Sequence, residues 1–341
     1  MHCFARTRFV LLILSLLGWL APFSTYAQPN LVTLIAVGDI MLARALQQAA
    51  RATNDPRYPF QNTYYFLHNA DVTVGNLECV ISDKGEPLRR KQFTFRAEPF
   101  MLEGLQWAGF DVLSLANNHS MDYGAEAMLD MRQRLDAAHI MPVGAGKNEA
   151  EAFAPALVTV KGVKIAFIGV VNVPKSGTIT FDTAITAATV DQPGVAWITE
   201  DADGLHKLTQ SVMQAKQKAD VVIVLLHSGW EFIHTPSDLQ KRLSRAAIDA
   251  GAAAVIGSHP HVLQGVENYN GGVIAYSLGN FAFDMEVNLT ALLELKLDSR
   301  GIHELHWHPM TIDRTGRPQI AYPAAKARIL RQLEQFSAAL R

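Results

Sequence analysis

Short apolar runs alternate along the chain with longer stretches in which apolar residues recur every three or four positions. The short runs are typical of buried strands, and the longer stretches have the period of amphipathic helices. The predicted strands span residues 31–37, 72–74, 112–115, 163–171, 221–226, 253–256 and 273–276. The predicted helices span residues 99–108, 125–138, 203–218 and 238–250. This alternation predicts an α/β fold in which helices pack on a largely parallel sheet.

The pattern changes after Asp284, where two strand-like runs flank a turn and a helical pattern follows. The first run, the turn, the second run and the helix span residues 289–297, 298–301, 302–312 and 324–340. We therefore interpret residues 28–285 as one domain and residues 286–341 as a hairpin and helix extension packed on it.

Residues 1–27 have the pattern of a signal peptide. Arg6 and Arg8 precede an apolar stretch over residues 9–20, and small residues typical of a cleavage site end at Ala27. The alternative is an uncleaved membrane anchor, but the stretch is short against the roughly 20 residues of a spanning helix. We expect cleavage after Ala27 and an exported protein, periplasmic or extracellular rather than membrane-anchored.

Composition limits how the mature chain is held together and what it binds. Removing 27 of 341 residues leaves 314, and Cys79 is then the sole cysteine, so no internal disulfide is expected. Cleavage after Ala27 would remove two arginines and no acidic residue, which changes the net charge from -2 to -4. A chain that bound nucleic acid by bulk charge would be basic, so we expect no nucleic-acid partner and local binding of any anion.

Five of the predicted strands lead directly into side chains that bind metals or move protons. Such residues also cap buried strands, so one of them alone is not diagnostic. Because the carboxyl ends of parallel strands lie on the same edge of a sheet, we expect these side chains to converge. The set is too rich in ligands for one ion and suits two. It comprises Asp39, Glu78, Asn118, His119, His227, His259 and His261.

The strand at residues 253–256 is followed by two imidazoles separated by one proline. Pro260 restricts the preceding residue to extended backbone, and alternate side chains of an extended chain share a face. We therefore expect the rings of His259 and His261 to reach one ion. The alternative is a hydrogen-bonded turn, since two histidines need carboxylate neighbours before a metal site is credible.

Seven short motifs, in order, resemble the CapA family, which is grouped with the calcineurin-like metallophosphatases. The motifs are VGD at 37–39, NLE at 76–78, FRAEP at 95–99, LANNH at 115–119, HSGWE at 227–231, SHPHVLQG at 258–265 and YSLGNF at 276–281. The resemblance covers residues 31–284. It implies a metallophosphatase-like β-sandwich flanked by helices, in four layers (α/β/β/α), and a role in synthesis or export of poly-γ-glutamate capsule.

The resemblance also implies roles for individual residues. Asp39 and His261 correspond to ligands of a first metal, and His119 to a general acid toward a leaving oxygen. The ligands implied for a second metal are Asn118, His227 and His259.

Two positions depart from the metallophosphatase pattern. Met41 stands where a further metal-binding histidine is usual, and neutral Asn76 stands near the usual bridging aspartate, which leaves Glu78 to bridge. The number of ions, one or two, therefore stays open. The mixed nitrogen and oxygen ligands suit the divalent transition metals Mn, Zn or Fe better than Mg or Ca.

Three further residues are candidates for substrate binding. Arg96 can clamp a carboxylate or phosphate through its guanidinium fork, whereas the basic residues 89–91 are expected to form a solvated loop. Glu231 is either a site carboxylate or part of the loop after His227. Asn280 either contacts substrate or holds a loop by hydrogen bonds.

A second group of imidazoles stands in the carboxyl-terminal extension. His303, His306 and His308 alternate along a predicted strand of the hairpin. Histidines in such a pattern are usually solvated or packed, so we expect them to lie outside the site.

Three functions agree with these patterns. The first is a metal-dependent hydrolase or transferase, in capsule or poly-γ-glutamate synthesis, acting on a phosphate ester or an anionic polymer alongside capsule-synthesis membrane proteins. The second is a non-catalytic polymer-binding or envelope assembly module on the same scaffold. The third is a purely structural role at the cell envelope.

Overall fold

The computed structural model describes residues 31–174 and 182–340. The strands of the first half are β1 (Val32–Ile40), β2 (Val72–Leu77), β3 (Val80–Ile81), β4 (Arg96–Ala97), β5 (Val112–Ser114), β6 (Met141–Val143), β7 (Ala145–Gly146), β8 (Ala156–Val160) and β9 (Val163–Asn172). The strands of the second half are β10 (Gly194–Val195), β11 (Val221–Ser228), β12 (Ala254–Ser258), β13 (Val266–Tyr269), β14 (Gly272–Ala275), β15 (Asn280–Ala282), β16 (Leu289–Asp298), β17 (Gly301–Ile312) and β18 (Pro318–Ile320).

Helices occupy the segments between most of these strands. The α-helices are α1 (Arg44–Thr53), α2 (Tyr64–His68), α3 (Leu102–Ala108), α4 (Gly124–Ala137), α5 (Glu149–Ala152), α6 (Ala202–Lys216), α7 (Asp238–Asp249) and α8 (Pro323–Ala338). Short 3-10 helices span Tyr58–Phe60, Pro99–Met101 and Thr183–Thr186. Within the described residues, no helix combines the length and apolar character needed to cross a membrane.

Two large sheets form the body of the protein. The eight-stranded sheet has the order β18-β17-β16-β1-β2-β5-β6, and β15 pairs with the end of β1 as its eighth strand. The six-stranded sheet has the order β13-β14-β12-β11-β9-β8. Strands β1, β2, β5 and β6 run parallel, as do β14, β12, β11 and β9. The predicted parallel strands therefore belong to two sheets rather than to one.

Alternate residues of the central strands belong to different buried clusters, as expected when both faces of a sheet are covered. Leu34 and Ala36 share one cluster with Ile165 and Phe167 of the other sheet, whereas Ile35 packs with the helices that follow β1 and β2. The β9 residues that alternate with Ile165 and Phe167 lie on the other face of the strand and pack against α6 and α7. The predicted α/β class is confirmed. The four-layer order stays a prediction that these clusters support.

Most predicted elements occur within a few residues of their expected bounds, and the differences affect the site. Strands β1, β2 and β11 are longer than predicted, so Asp39, Asn76 and His227 lie inside strands instead of following them. Helix α1 was not predicted, and the helix expected at residues 99–108 begins as a 3-10 helix. The predicted signal peptide at residues 1–27 lies outside the described residues.

The carboxyl-terminal segment supplies part of the sheet that carries the site. Strands β16 and β17 form the expected hairpin, and β16 pairs antiparallel with β1 from Val32 to Ala36. Helix α8 contributes Ile329 and Leu333 to a small core beside this hairpin. The predicted domain boundary between residues 285 and 286 stays a prediction. The carboxyl-terminal segment is hydrogen-bonded through β16 to β1, the strand that ends near Asp39.

A close backbone approach fixes the end of β1. A Cβ atom at Gly38 would lie 1.8 Å from the carbonyl oxygen of Gly279, so only glycine fits there. The amide of Asp39 donates to that same oxygen at 2.9 Å, and Asp39 stands in register with Asn280. The glycine therefore brings the first carboxylate of the site beside the loop that carries Asn280.

A buried carboxylate joins α4 to the segment after β3. Asp130 accepts hydrogen bonds from Ser82 Oγ at 2.6 Å and Arg134 Nε at 2.7 Å, and Lys84 Nζ lies 2.9 Å away. Burial raises the pKa of Asp130, but these three partners outweigh it and lower the pKa from 3.8 to about 2.

We expect Asp130→Asn to destabilise the protein by about 1–2 kcal/mol at neutral pH, because the charged partners lose their carboxylate. The depressed pKa means that this stabilisation is present above 3.8 and is lost as the pH falls through about 2. Thermal unfolding across this pH range checks the result. Asp83→Asn is the control, because Asp83 also binds Arg134 but is 67% exposed. Equal effects of the two substitutions would contradict the prediction.

Candidate functional site

The predicted metal ligands form one buried cluster at the meeting of the two sheets. Each is at most 9% exposed. The eight-stranded sheet contributes residues at or just beyond the ends of β1, β2 and β5, and the six-stranded sheet contributes residues at β11 and beyond β12. These residues are Asp39, Glu78 and Asn118 from the first sheet and His227, His259 and His261 from the second.

Several contacts between residues of the two sheets join the halves of the cluster. Asn118 Oδ1 lies 2.9 Å from His227 Nε2, and the backbone amide of His259 donates to Asp39 Oδ2 at 3.3 Å. The expected convergence of the strand ends therefore occurs, although the ends belong to two different sheets.

Asn76 occupies the centre between the two carboxylates. Its side-chain Nδ2 donates to Asp39 Oδ1 at 2.8 Å and lies 3.4 Å from Glu78 Oε2 and 3.2 Å from His227 Nδ1. Asn117 Nδ2 donates to Asn76 Oδ1, which fixes the orientation of the Asn76 amide. Asn76, which stands near the position where metallophosphatases carry a bridging aspartate, therefore acts as a hydrogen-bond donor that orients the carboxyl groups of Asp39 and Glu78.

The three imidazoles lie around these carboxylates. His227 Nε2 lies 3.8 Å and His261 Nε2 lies 3.9 Å from the same oxygen, Glu78 Oε1. The ring centroid of His259 is 4.8 Å from that of His227 and 5.9 Å from that of His261. Two imidazole nitrogens thus lie within 4 Å of one carboxylate oxygen.

Two groups of side chains have ligand atoms within 4.8 Å of one another, and both include Glu78. One adds His259 and His261, and the other adds Asp39 and His227. This grouping differs from the pairing implied by the resemblance, in which His259 joins His227. Glu78 Oε1 and His259 Nδ1 are buried without a hydrogen-bond partner among the described residues. The cluster could therefore hold a metal ion, because the two partnerless atoms are ligand types that divalent metals accept.

Burial and neighbouring groups of like charge disfavour the charged forms of several side chains in the metal-free cluster. Burial, followed by the charge of Asp39, raises the pKa of Glu78 well above its ordinary value. Burial also lowers the pKa values of His227 and His259 well below the ordinary range, and the neighbouring His261 adds to both shifts. The lowered pKa values of His227 and His259 favour the neutral imidazoles that a cation binds, whereas Glu78 must lose its proton to bind one.

His261 is oriented by two oxygens. Its Nδ1 lies 2.8 Å from Asn280 Oδ1 and 3.4 Å from Asp39 Oδ2. Burial lowers the pKa of His261, but the hydrogen bond and charge of Asp39 outweigh it and leave the pKa raised. Asn280 is fully buried and contacts this imidazole, which supports the expectation that it holds a loop. The contact at Nδ1 leaves Nε2 facing Glu78.

His119 belongs to a second polar group beside the cluster. Its Nδ1 lies 2.7 Å from Asp122 Oδ2, and Lys91 forms an ion pair with Asp122 Oδ1. An ionised carboxylate can only accept, so Nδ1 carries the proton and Nε2 has the lone pair. Burial lowers the pKa of His119 to about 4, although the charge of Asp122 opposes the shift. His119 is therefore neutral at neutral pH in the metal-free chain.

An aromatic ring stacks on His119, and a cation lies over that ring. Phe95 stacks on the imidazole with ring centroids 4.2 Å apart, and the Arg44 guanidinium carbon lies 5.6 Å from the Phe95 centroid. Arg44 has a φ of 55°, which is uncommon for a non-glycine residue, and about half of its side chain is exposed. A cation thus lies over the Phe95 ring that stacks on His119, at a position that the sequence did not indicate.

The backbone around Pro260 differs from the extended form expected from its sequence. His259 has a φ of 95° and His261 a φ of 58°. The expectation of extended backbone at His259 was wrong, because contacts of the loop override the local preference. One such contact runs from the amide of Phe232 to the carbonyl oxygen of Pro260, at 2.8 Å. Positive φ values at two candidate ligands are typical of backbone strain held at functional sites.

The candidate substrate residues outside the cluster occupy different surroundings. Arg96 is exposed, lies 4.1 Å over the Tyr123 ring and donates to the Gly85 carbonyl oxygen at 3.3 Å. Glu231 is also exposed, and its charge adds to the raised pKa values of Glu78 and His261. Glu231 therefore acts electrostatically on the cluster, whereas the described side-chain contacts of Arg96 are with the loop after β3 and with Tyr123 before α4.

Sequence reasoning missed two residues beside His119. Lys91 was expected in a solvated loop, but only 7% of its side chain is exposed, because Asp122 and the Asn118 carbonyl oxygen bind its ammonium group. Asp122 is completely buried. The spacing of three residues between His119 and Asp122 was an available signal, since it places both side chains on the same face of a helical turn.

The histidines of the hairpin have separate acidic partners. His303 pairs with Asp298 at 2.8 Å, His306 with Glu304 at 2.9 Å and His308 with Glu294 at 2.7 Å. Within the described residues, these histidines do not contribute to a group of metal-ligand atoms.

Comparisons with known proteins agree with the sequence motifs. Residues 33–285 match the family model described as bacterial capsule synthesis protein PGA_cap. The chain is 33% identical over 308 residues to the capsule biosynthesis protein CapA of Bacillus anthracis, which covers 89% of this chain and 72% of that relative. It is 32% identical over 307 residues to the PGA biosynthesis protein CapA of Bacillus subtilis (strain 168), which covers 88% of this chain and 77% of that relative.

The fold is also found in a solved structure. A hypothetical protein from Thermus thermophilus aligns with a TM-score of 0.52 and 15% identity, covering 82% of this chain and 99% of that chain. This similarity supports the fold alone. The family match and the two relatives confirm the resemblance seen in the motifs, and the chain belongs to the bacterial capsule synthesis family of the CapA proteins.

Proposed function

We propose that this chain is an exported CapA-like protein that acts in capsule or poly-γ-glutamate synthesis through a metal-dependent, hydrolase-like site. The observation that carries the proposal is the pair of partnerless buried atoms, Glu78 Oε1 and His259 Nδ1, inside a cluster of carboxyl groups and imidazoles. A buried carboxylate oxygen and ring nitrogen without partners are destabilising unless a cation or a polar ligand joins them.

The residues that would hold the metal are those of the two groups that share Glu78. They are Asp39, Glu78, His227, His259 and His261, with Asn118 as a further oxygen donor. The mixed nitrogen and oxygen set favours Mn, Zn or Fe, and one or two ions agree with it. A bound divalent ion supplies Lewis acidity and a water of lowered pKa.

The surrounding residues orient these side chains. Asn280 Oδ1 accepts from His261, and Ser258 Oγ lies 2.9 Å from His227 Nδ1. Asn76 separates Asp39 from Glu78 through its amide hydrogens. Such partners fix the rotamers and tautomers of ligating groups, so we assign these three residues to positioning.

His119 is the proposed proton-transfer residue, as the resemblance implies. Asp122 holds its Nδ1 proton, so Nε2 is the atom that exchanges a proton with substrate. To act as a general acid, His119 must first gain a proton, which an anionic substrate beside it favours. Arg44, Arg96 and Glu231 are the residues that we propose to affect the binding of charged substrate.

The names of the relatives support the biological role. Two of them are described as capsule and PGA biosynthesis proteins. We therefore propose an anionic polymer or a phosphate ester as substrate, and capsule-synthesis membrane proteins as partners. Residues 1–27 are the proposed export signal, cleaved after Ala27.

One observation favours a second function, a polymer-binding or assembly module without catalysis. Asn76 provides a neutral donor near the position where metallophosphatases carry a bridging aspartate. The loss of one charged ligand weakens a two-ion centre, so a single ion with a structural role agrees with this alternative.

Elemental analysis of the purified chain tests the metal proposal. We expect one or two equivalents of transition metal, and a rise in Tm on adding Mn or Zn to chelated protein, because ligand at 100 times its Kd stabilises by about 2.7 kcal/mol. His259→Ala should abolish the rise, whereas His306→Ala, in the hairpin, should not. Metal-free protein with an unchanged Tm in every metal would contradict the proposal. Metal binding without turnover of a phosphodiester would favour the assembly module.

A further inference from the structure

A cavity of about 400 Å³ opens beside the carboxyl end of β9, next to the strand that carries His227. This volume falls within the range of about 300–1,000 Å³ of small-molecule sites. Its lining comprises Asn172, Val173, Pro174, Ala184, Trp197, Thr199, Glu200 and Trp230. Trp230 follows His227 by three residues, so the cavity adjoins the metal-ligand cluster through one short segment of chain.

Two polar side chains, at the carboxyl ends of β9 and β11, have atoms without hydrogen-bond partners among the described residues. Asn172 is 3% exposed, and its Nδ2 donates to the Ile198 carbonyl oxygen at 2.7 Å while its Oδ1 has no partner among the described residues. Ser228 stands in register with Asn172 on the neighbouring strand, and its buried Oγ is likewise without a partner there. A buried amide oxygen without a hydrogen bond indicates a missing donor.

Among the described residues, the lining carries aromatic surface and no basic residue. Trp197 and Trp230 supply two indoles, and 46% of Trp230 is exposed. Glu200 is the sole charged residue among the described residues of this lining. Arg242 reaches the Glu200 backbone oxygen at 2.6 Å but does not line the cavity. These walls suit a neutral group and disfavour a carboxylate or phosphate, which the Glu200 charge would repel.

We propose that this cavity binds a neutral sugar ring, as a subsite next to the metal-ligand cluster. A pyranose presents an apolar C–H face that packs on indole and hydroxyl groups that donate to Asn172 Oδ1 and Glu200. A γ-glutamyl unit fits less well, because each unit carries a carboxylate into a lining whose described residues include an acidic one and no basic one. That the sugar belongs to a substrate or acceptor of the neighbouring site rests on the proposed function; the binding itself does not.

Calorimetric titration of the full chain with cellobiose, maltose and N,N′-diacetylchitobiose tests the proposal, with a γ-glutamyl oligomer as the comparison. We expect at least one disaccharide to bind at millimolar concentration. Trp230→Ala should weaken that binding by about ten-fold through loss of aromatic contact. Asn172→Ala should weaken it by about five-fold through loss of one hydrogen bond.

Tyr65→Ala is the matched control, because Tyr65 is an aromatic residue that is 73% exposed and does not line the cavity. The Tyr65→Ala variant should bind the disaccharide with the same affinity as the unsubstituted protein. Failure of all three disaccharides would overturn the proposal, as would Trp230-dependent binding of the γ-glutamyl oligomer alone. Titrations repeated with chelator separate the two proposals, because sugar binding without metal supports the subsite even where metal analysis refutes the proposed function.

Discussion

His119→Ala is expected to reduce kcat toward a phosphodiester by about 100- to 10,000-fold, the range typical of a lost proton-transfer residue. The metal content should stay unchanged, because His119 does not belong to either group of ligand atoms that share Glu78. Its imidazole is instead held by Asp122 and stacks on Phe95. Turnover and elemental analysis of the same preparation check both parts of the result.

The pH profile shows whether His119 donates or accepts the proton. A general acid must be protonated, so activity should decline as the pH rises through the pKa of His119 in the substrate complex, and a general base gives the opposite limb. The limb of the pH–activity profile that reports His119 should be absent from the His119→Ala variant. Asp122→Asn should keep the fold but favour the other tautomer, since an amide can donate to Nδ1, and we expect it to lower kcat more than it changes KM.

A matched histidine provides the control for this experiment. His306 is about half exposed and pairs with Glu304 in the hairpin, so His306→Ala should leave turnover unchanged. Unaltered turnover in His119→Ala would contradict the proton-transfer role, and loss of metal would show that His119 supports the ligands instead.

The sequence predicted the strand ends well because their signals are local. Each buried strand is an apolar run, and the residues that follow it, such as Glu78 and His259, are visible as polar interruptions. Their convergence follows from parallel pairing, which brings carboxyl ends to one edge. The division of these strands between two sheets depends on nonlocal pairing, which periodicity alone does not specify.

The errors have a nonlocal origin as well. The positive φ of His259 arises in a loop whose tertiary contacts outweigh the preference of a residue before proline. Lys91 was misplaced because its burial depends on Asp122, which lies 31 residues further along the chain. The role of β16 beside β1 could not be predicted either, since their pairing joins opposite ends of the chain.

Glu78→Gln is expected to have opposite effects on metal binding and on the stability of the metal-free chain. Glu78 is shared by both groups of ligand atoms, so its loss should weaken metal binding by more than about 100-fold, given that even outer partners of ligands contribute about 10- to 100-fold. Without metal, the substitution removes a buried charge that faces Asp39, and Tm should rise by at least about 2 °C. Metal titration and thermal unfolding measure the two effects.

The pH dependence separates this explanation from a simple packing effect. The pKa of Glu78 is raised above its ordinary value of 4.5 by burial and then by Asp39, so the folded chain binds more protons than the unfolded chain above that pH. Metal-free stability should therefore fall as the pH rises from 4.5, and Glu78→Gln should reduce this slope. Glu304→Gln, at an exposed carboxylate of the hairpin, should alter neither slope nor metal binding. A lower Tm for metal-free Glu78→Gln at neutral pH would show that the carboxylate stabilises the fold by itself, and the case for a cation at this cluster would then lose its electrostatic basis.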